Sequence, residues 1–213
     1  MTAHLDIKLV VGLGNPGADY VNTRHNAGYW FVDELARRGN GSWTGEKKFH
    51  GEVCSVTIGS NALRLLKPNT FMNGSGQSVQ ALLAYLKLSP QQILVAHDEI
   101  DLAIGTVRLK YSGGHGGHNG LRDVSSHLGK DYYRLRVGVG HPGRPEAVHG
   151  YVLKRAPSDE ERAIEDAVKD AVDAMPLLLE QGLEKAMTRL HSRGVEPKPY
   201  KKEQAEEDKD MED

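Results

Sequence analysis

Cysteine is almost absent from this chain of 213 residues, which contains only Cys54. A single thiol excludes an internal disulfide, and such low usage is typical of a reducing compartment, so we expect a cytoplasmic protein. Cys54 lies in a segment with strand-like alternation, where a small core side chain is a more ordinary role for a cysteine than a nucleophile.

Long hydrophobic runs are missing as well. No window approaches the ~18 apolar residues of a membrane span, and the first residues lack the charged-then-apolar order of a signal peptide. The G-x-S-x-G motif of many serine esterases is also absent. With 38% hydrophobic and 26% charged residues, the chain can bury one core, which predicts a single globular domain.

Charge is distributed unevenly behind a formal net charge of −2. Residues 64–155 have 12 Lys and Arg against 6 Asp and Glu, whereas residues 156–193 and 194–213 each have a net charge of −4. A basic middle region favours a polyanionic substrate, although a solvated basic surface gives the same count. Almost nothing after Gly194 can be buried, so we expect a folded domain over 1–193 and an acidic, disordered tail over 194–213.

Apolar runs alternate with helix-spaced apolar residues, which predicts an α/β fold. The spacing favours parallel and antiparallel strand pairs together, and therefore a single mixed, mostly parallel, twisted sheet flanked by helices. We predict strands at 9–11, 49–58, 62–66, 93–96, 106–110 and 135–139, and helices at 27–38 and around 79–86. Ser158 and Glu161 match a capping box that opens a later helix, which we expect Pro176 to interrupt.

The strand at 9–11 is followed by three polar side chains that core packing does not require: Asn15, His25 and Asn26. Open α/β sheets bind their ligands just past the carboxyl ends of strands. We therefore expect a functional site here.

The same stretch, from Gly12 to Gly17, matches the G-x-G-x-x-G fingerprint of dinucleotide-binding folds. That fingerprint needs an acidic residue at the end of the second strand, and the segment near 53–58 ends in Gly59-Ser60-Asn61 instead. A tight glycine turn under a helix is the preferred interpretation.

A second polar loop, residues 67–76, connects a strand to a helix. Phe71 and Met72 lie among turn-forming residues there, so we expect both side chains to be partly exposed. An aromatic ring and a thioether beside the Asn73 amide can form a wall for a nucleobase or a peptide side chain.

His97-Asp98-Glu99 follows the predicted strand at 93–96. A carboxylate at the carboxyl end of a strand is well placed to orient a histidine. Capping of a neighbouring turn by Asp98 is the alternative interpretation.

Residues 113–120 contain five glycines and two histidines, a composition that packing does not explain. Such a loop suits a backbone that approaches a ligand closely or exposes its amides to it. His115 and His118 also have an H-x-x-H spacing that could bind zinc with Asp98 or His25. We expect no metal, because a glycine-rich loop holds ligands loosely and no second cysteine or H-E-x-x-H helix is present.

Arginines alternate with apolar residues in the strand at 135–139 and just before it. Arg134 and Arg136 are expected to share one sheet face with Arg108 and Lys110, because strand side chains alternate between faces. Arginines arranged in this way suit phosphate oxygens.

Taken in order and spacing, these motifs resemble bacterial-type peptidyl-tRNA hydrolase over roughly residues 8–193. The motifs that carry the resemblance are Gly12-Leu13-Gly14-Asn15-Pro16-Gly17, Tyr20, Thr23-Arg24-His25-Asn26, Lys67-Pro68, Thr70-Phe71-Met72-Asn73, His97-Asp98-Glu99 and Gly116-Gly117-His118-Asn119-Gly120-Leu121. Any one of them alone would be weak, but together in register they are highly specific.

The resemblance implies a monomeric enzyme without metal or cofactor that hydrolyses the ester joining a peptide, or an N-blocked amino acid, to the 3′ ribose of tRNA. It implies that His25 is the general base, that Asp98 holds its tautomer, and that Asn15 helps to distinguish blocked from unblocked aminoacyl-tRNA. The residues it implies for binding the end of the substrate are Tyr20, Phe71, Met72, Asn73, His118 and Asn119. It further implies that Lys110 and Arg136 clamp the 5′ phosphate of the tRNA.

Two positions depart from the family pattern. Ala103 stands where a proline is often found, and Ser112 replaces a glycine before the glycine-rich loop, which affects loop stiffness rather than the chemistry.

A histidine base of pKa near 7 suits direct attack by water, and amide donors suit the developing oxyanion. An RNA-binding protein without catalysis and a zinc hydrolase are the two alternatives.

Overall fold

A mixed sheet of seven strands runs through the centre of the protein in the order β2-β3-β4-β1-β5-β7-β6. The computed structural model describes residues 5–192. The strands are β1 (Leu9–Gly12), β2 (Thr44–Glu46), β3 (Gly51–Ile58), β4 (Asn61–Pro68), β5 (Ile93–Glu99), β6 (Val107–Tyr111) and β7 (Tyr133–Gly138). The four inner strands β4, β1, β5 and β7 run parallel, and the outer strands pair antiparallel, as the mixed α/β prediction requires.

Helices cover both faces of this sheet. They are α1 (Ala27–Arg38), α2 (Ser75–Leu86), α3 (Asn119–Leu128), α4 (Val148–Val152), α5 (Ser158–Gln181) and α6 (Leu183–Ser192). One apolar core joins the sheet to α1, α5 and α6, and a second joins it to α2 and α3. Val10 points into the first core, and its neighbours Leu9 and Val11 point into the second. Burial on both faces explains why β1 and the first four residues of β5 are continuous apolar runs.

The predicted strands are all present, with shifts of a few residues at their ends. The largest extension is in β5, which continues to Glu99, so that His97 and Asp98 lie within the strand rather than after it. Cys54 is 2% exposed and lies in the first core, as its interpretation as a small core residue predicted.

Two predictions about α5 were wrong. Ser158 is the first helical residue and makes no capping bond, because the Pro157 carbonyl accepts from the Glu161 N–H and the Glu161 carboxylate accepts from Arg155 at 2.9 Å. The helix also continues through Pro176 to Gln181 and ends at Gly182.

An interior proline costs a helix about 3 kcal/mol. Here Met175, Leu178 and Leu179 on either side of Pro176 are each at most 1% exposed. Their burial is worth roughly 1.5–3 kcal/mol per side chain, which outweighs the lost hydrogen bond.

The acidic tail predicted after Gly194 lies outside the described residues. Within residues 5–192, none of the helices combines the length and apolar content that crossing a membrane requires.

Candidate active site

A cleft of about 630 Å³ opens at the carboxyl ends of β1 and β5. Nine of the eleven predicted site residues line it, namely Asn15, Tyr20, His25, Phe71, Met72, Asn73, Asp98, His118 and Asn119. Lys110 and Arg136 are not part of its wall. The opposite rim is formed by the segment from His141 to Leu153, which the sequence did not single out.

His25 and Asp98 form a hydrogen-bonded pair at the bottom of the cleft. His25 lies in a 3-10 turn, Arg24–Asn26, directly before α1, and its Nδ1–H donates to Asp98 Oδ1 at 2.9 Å. Arg24 holds this turn against α5 by donating to Glu160 at 2.7 Å. Because Nδ1 carries the shared proton, Nε2 of His25 has a free lone pair for a proton from water.

Burial and charge oppose each other in this pair. Burial lowers the pKa of His25. The charge of Asp98 and the hydrogen bond to it together raise that pKa by more than burial lowers it, so the net shift is upward. Burial raises the pKa of Asp98, but His25 and His118 outweigh it and hold that pKa well below its usual range. Asp98 is therefore an ionised carboxylate at neutral pH, in position to stabilise an imidazolium.

His118 donates a second hydrogen bond to the same carboxylate oxygen. Its Nε2 lies 2.9 Å from Asp98 Oδ1, while its Nδ1 accepts the Leu121 N–H at 3.2 Å and caps α3. These two bonds require the proton on Nε2. Among the described residues, no backbone N–H donates to the Asp98 side chain, which argues against the turn-capping interpretation.

Among the described residues, the group whose possible metal-ligand atoms come together does not include His115, whose Nδ1 accepts the Gly117 N–H. His25, Asp98 and His118 do bring three ligand atoms within 4.8 Å of one another. His25 Nδ1–H and His118 Nε2–H each donate a hydrogen bond of 2.9 Å to Asp98 Oδ1, so protons on the two rings occupy the place that a metal ion would take.

His97 contributes to the site in a way that sequence analysis missed. Its ring is 1% exposed, packs 5.1 Å from the His118 ring, and donates from Nδ1 to the Asp98 carbonyl at 2.7 Å. Burial, followed by His118, lowers its pKa to about 3. The sequence signal was a histidine directly after the apolar residues 93–96. A histidine buried in such a strand is expected to be neutral and to have a hydrogen-bond partner.

Asn15 is held in one orientation by its neighbours. The Asn26 side chain bonds both the backbone N–H and the carbonyl of Asn15, at 2.8 and 3.0 Å. The Asn15 Oδ1 accepts the Met72 N–H at 2.8 Å. With its oxygen engaged in this way, the Asn15 side chain presents an NH₂ donor to the cleft.

Two of the three glycines of the first motif, Gly12 and Gly14, serve packing, since a Cβ on Gly14 would lie 2.7 Å from the Tyr29 ring. A Cβ on Gly12 would lie 2.3 Å from the Gly28 carbonyl oxygen, and one on Gly28 would lie 2.4 Å from the Ala96 carbonyl oxygen. Close contact between α1 and the sheet therefore requires glycine at position 12 in β1 and at position 28 in α1.

Phe71 and Tyr20 stand at the mouth of the cleft. Phe71 is 62% exposed and meets Tyr20 edge to face, with 6.3 Å between ring centroids. The expected exposure of Met72 was wrong: it is 4% exposed, because its side chain packs into the core under α2 and α3. Asn73 and Asn119 are exposed on the wall, and the Asn119 Oδ1 accepts from Arg122 at 3.2 Å.

The four basic residues share one face of the sheet, as predicted, because Lys110 pairs with Arg134 and Arg108 with Arg136 across β6 and β7. Lys110 is exposed and Arg136 is half-buried against Glu99, at 2.9 Å. Arg134 cannot serve as a phosphate ligand as expected, because it is 3% exposed and both its terminal nitrogens donate to loop carbonyls.

Comparison with known proteins agrees with this geometry. The family model described as peptidyl-tRNA hydrolase matches residues 9–198. The chain is 52% identical to peptidyl-tRNA hydrolase of Neisseria meningitidis serogroup A, over 88% of this chain and 98% of that protein. It is 50% identical to the enzyme of Psychrobacter arcticus, over 87% of this chain and 96% of that protein.

The fold of this chain is also similar to that of a solved peptidyl-tRNA hydrolase structure. The crystal structure of peptidyl-tRNA hydrolase from Acinetobacter baumannii matches with a TM-score of 0.85 and 45% identity, covering 89% of this chain and 97% of that one. The family match and the level of identity agree with a cleft built on the family's motif residues, and the chain belongs to the peptidyl-tRNA hydrolase family.

Proposed function

We propose that this chain hydrolyses the ester between a peptide, or an N-blocked amino acid, and the 3′ ribose of tRNA, recycling tRNA during translation, with His25 as the general base. The observation that carries the assignment of the base is the bond from His25 Nδ1–H to buried Asp98. That bond leaves Nε2 facing the cleft as an acceptor.

In the proposed reaction, His25 Nε2 takes a proton from water as the water oxygen attacks the ester carbonyl carbon. Asp98 stabilises the resulting imidazolium, while amide N–H groups of Asn73 and Asn119 donate to the developing oxyanion. The imidazolium then returns the proton to the 3′ oxygen of the ribose as the ester bond breaks. The mechanism uses no metal or cofactor.

Asn15 explains the preference for N-blocked substrates. Its oxygen is occupied by the Met72 N–H, so only its NH₂ can meet the substrate. An N-acyl carbonyl accepts from that group, whereas a free α-ammonium carries only donors and would leave both partners unpaired.

The rest of the substrate is bound around this centre. Tyr20, Phe71, Met72 and His118 line the cleft for the acyl group and the terminal nucleotide. Lys110 and Arg136 hold the 5′ phosphate of the tRNA acceptor end, with Arg136 exchanging part of its interaction with Glu99 for the phosphate. The catalytic unit is a monomer that comprises residues 1–193 and acts in the cytoplasm, where its tRNA substrate is.

A non-catalytic RNA-binding function requires no buried histidine–carboxylate pair, so the site favours hydrolysis. The test is release of the acyl group from N-acetyl-aminoacyl-tRNA, with unblocked aminoacyl-tRNA as the control substrate. We expect rapid release from the blocked substrate only, unchanged by a chelator. Binding without release would support the RNA-binding alternative, and loss of activity with chelator would support a metal hydrolase.

A further inference from the structure

Arg134 makes two hydrogen bonds that fix the start of the glycine loop, residues 113–117. Its two terminal nitrogens donate to the Gly113 and Gly114 carbonyl oxygens, each at 2.5 Å. Its guanidinium carbon lies 4.7 Å from the centroid of the Tyr132 ring. Two carbonyls side by side match the rigid fork of a guanidinium, which a lysine cannot reproduce.

Among the described residues, Arg134 is the one sheet side chain that bonds to residues 113–117. Ser112, directly before the loop, donates from its N–H to the Tyr132 carbonyl at 2.9 Å and from its Oγ to Asp131 at 3.0 Å. Gly113, Gly116 and Gly117 have φ angles of +124°, +54° and +81°, and a Cβ on Gly116 or Gly117 would meet no atom within 4 Å. Two further bonds within the loop region join His115 to the N–H groups of Gly117 and His118. Those bonds shape the loop but do not attach it to the sheet.

The far end of the loop enters the cleft. His118 follows the loop directly and donates to Asp98, and Asn119 begins α3 on the cleft wall. The position of these two side chains therefore depends on where β7 holds the loop, and Arg134 is the β7 side chain that binds it. Arg134 also lies close enough to His97 for its charge to contribute to the lowered pKa of that ring, after burial and His118.

We infer that Arg134 is a positioning residue, whose guanidinium anchors the glycine loop to β7 and so keeps His118 on Asp98 and Asn119 on the cleft wall. It touches neither the substrate nor the reacting atoms. Its effect on turnover rests on the proposed function, whereas its effect on the loop does not.

The test uses the full chain with Arg134→Lys and Arg134→Ala. Arg108→Ala is the matched control, since it removes the same charge from the same sheet face but does not bind the loop. The substrate is a small N-acyl-aminoacyl nucleoside ester, which lacks the tRNA phosphates. We expect kcat to fall about 10²-fold in both Arg134 variants with KM little changed, because small displacements of catalytic groups have effects of this size. Arg108→Ala should retain wild-type turnover.

Two further readouts separate positioning from general destabilisation. Millimolar guanidinium chloride should restore part of the kcat of Arg134→Ala but not that of Arg134→Lys, and urea at the same concentration should restore neither. Hydrogen exchange of the His118 amide, which bonds the His115 carbonyl, should speed up while the β5 amides keep their protection.

Unchanged kcat in Arg134→Lys, or equal loss of protection in β5 and at His118 without guanidinium rescue, would overturn the inference. If the wild-type chain showed no hydrolysis, the proposed function would fail, and the exchange measurement would still decide whether Arg134 anchors the loop.

Discussion

Replacing Asp98 by asparagine removes the charge from the buried end of the histidine pair while preserving its shape. The native carboxylate side chain is 2% exposed and accepts N–H bonds from His25 and His118 at 2.9 Å each. In Asp98→Asn, burial alone acts on the pKa of His25, which should fall below its usual value instead of lying above it.

The magnitude follows from the loss of one partner of a buried ion pair. Such a loss costs about 3–5 kcal/mol when the imidazolium forms, because its charge is then left uncompensated. At 1.36 kcal/mol per factor of ten, this predicts a decrease in kcat of roughly 10²–10⁴-fold. An asparagine NH₂ directed at His25 would also favour the wrong tautomer of the ring.

The assay is single-turnover hydrolysis of N-acetyl-aminoacyl-tRNA, with circular dichroism to verify folding. Asp101→Asn is the matched control, because it makes the same chemical change at an exposed position three residues along the chain. Wild-type turnover in a folded Asp98→Asn variant would mean that Asp98 has a structural role only.

Three other changes test separate parts of the account. Asn73→Ala and Asn119→Ala should each raise the barrier by about 2–4 kcal/mol if their amides donate to the oxyanion, and a change confined to KM would make them ground-state binding residues. Lys110→Ala or Arg136→Ala should weaken kcat/KM for tRNA substrates and reduce its salt dependence by about one ion, and equal losses on small nucleoside esters would contradict the phosphate clamp. His97 binds a proton in the unfolded chain below its ordinary pKa of about 6.5, but in the native protein only near pH 3. The free energy of unfolding should therefore decrease as pH falls from about 6.5 towards 3. When that free energy is measured by urea titration at several pH values, its dependence on pH should be smaller in His97→Asn than in the wild type by about 1.4 kcal/mol per pH unit. An unchanged pH dependence would mean that His97 is charged in the native protein.

The two central strands, β1 and β5, could be predicted from the sequence because burial on both faces demands continuous apolar residues, as in Leu9-Val10-Val11. The cleft could be predicted because polar residues such as His25 have no other reason to follow such strands. Residue type and the end of an apolar strand can both be recognised from a short stretch of sequence, so site residues that depend on these two features can be predicted without the structure.

Features that depend on tertiary neighbours could not be predicted in this way. Met72 is buried because α3 packs over a loop that looks polar, and Pro176 is tolerated because the core holds the helix on both sides of it. Arg134 occupies a position that alternation assigned correctly to the basic face, but its partners are carbonyls of a loop 20 residues earlier in the chain. No periodicity encodes such a contact.

The general-base role of His25 is measured by the kcat of His25→Ala on N-acetyl-aminoacyl-tRNA. The matched control is His127→Ala, an exposed α3 position that is not among the residues lining the cleft. We expect a folded His25→Ala protein that loses at least the ~10²–10⁴-fold supplied by general base catalysis, while His127→Ala remains as active as the wild type. Near-normal turnover in a folded His25→Ala variant would show that His25 is not the general base and would move that role to another group, with His118 the first to test.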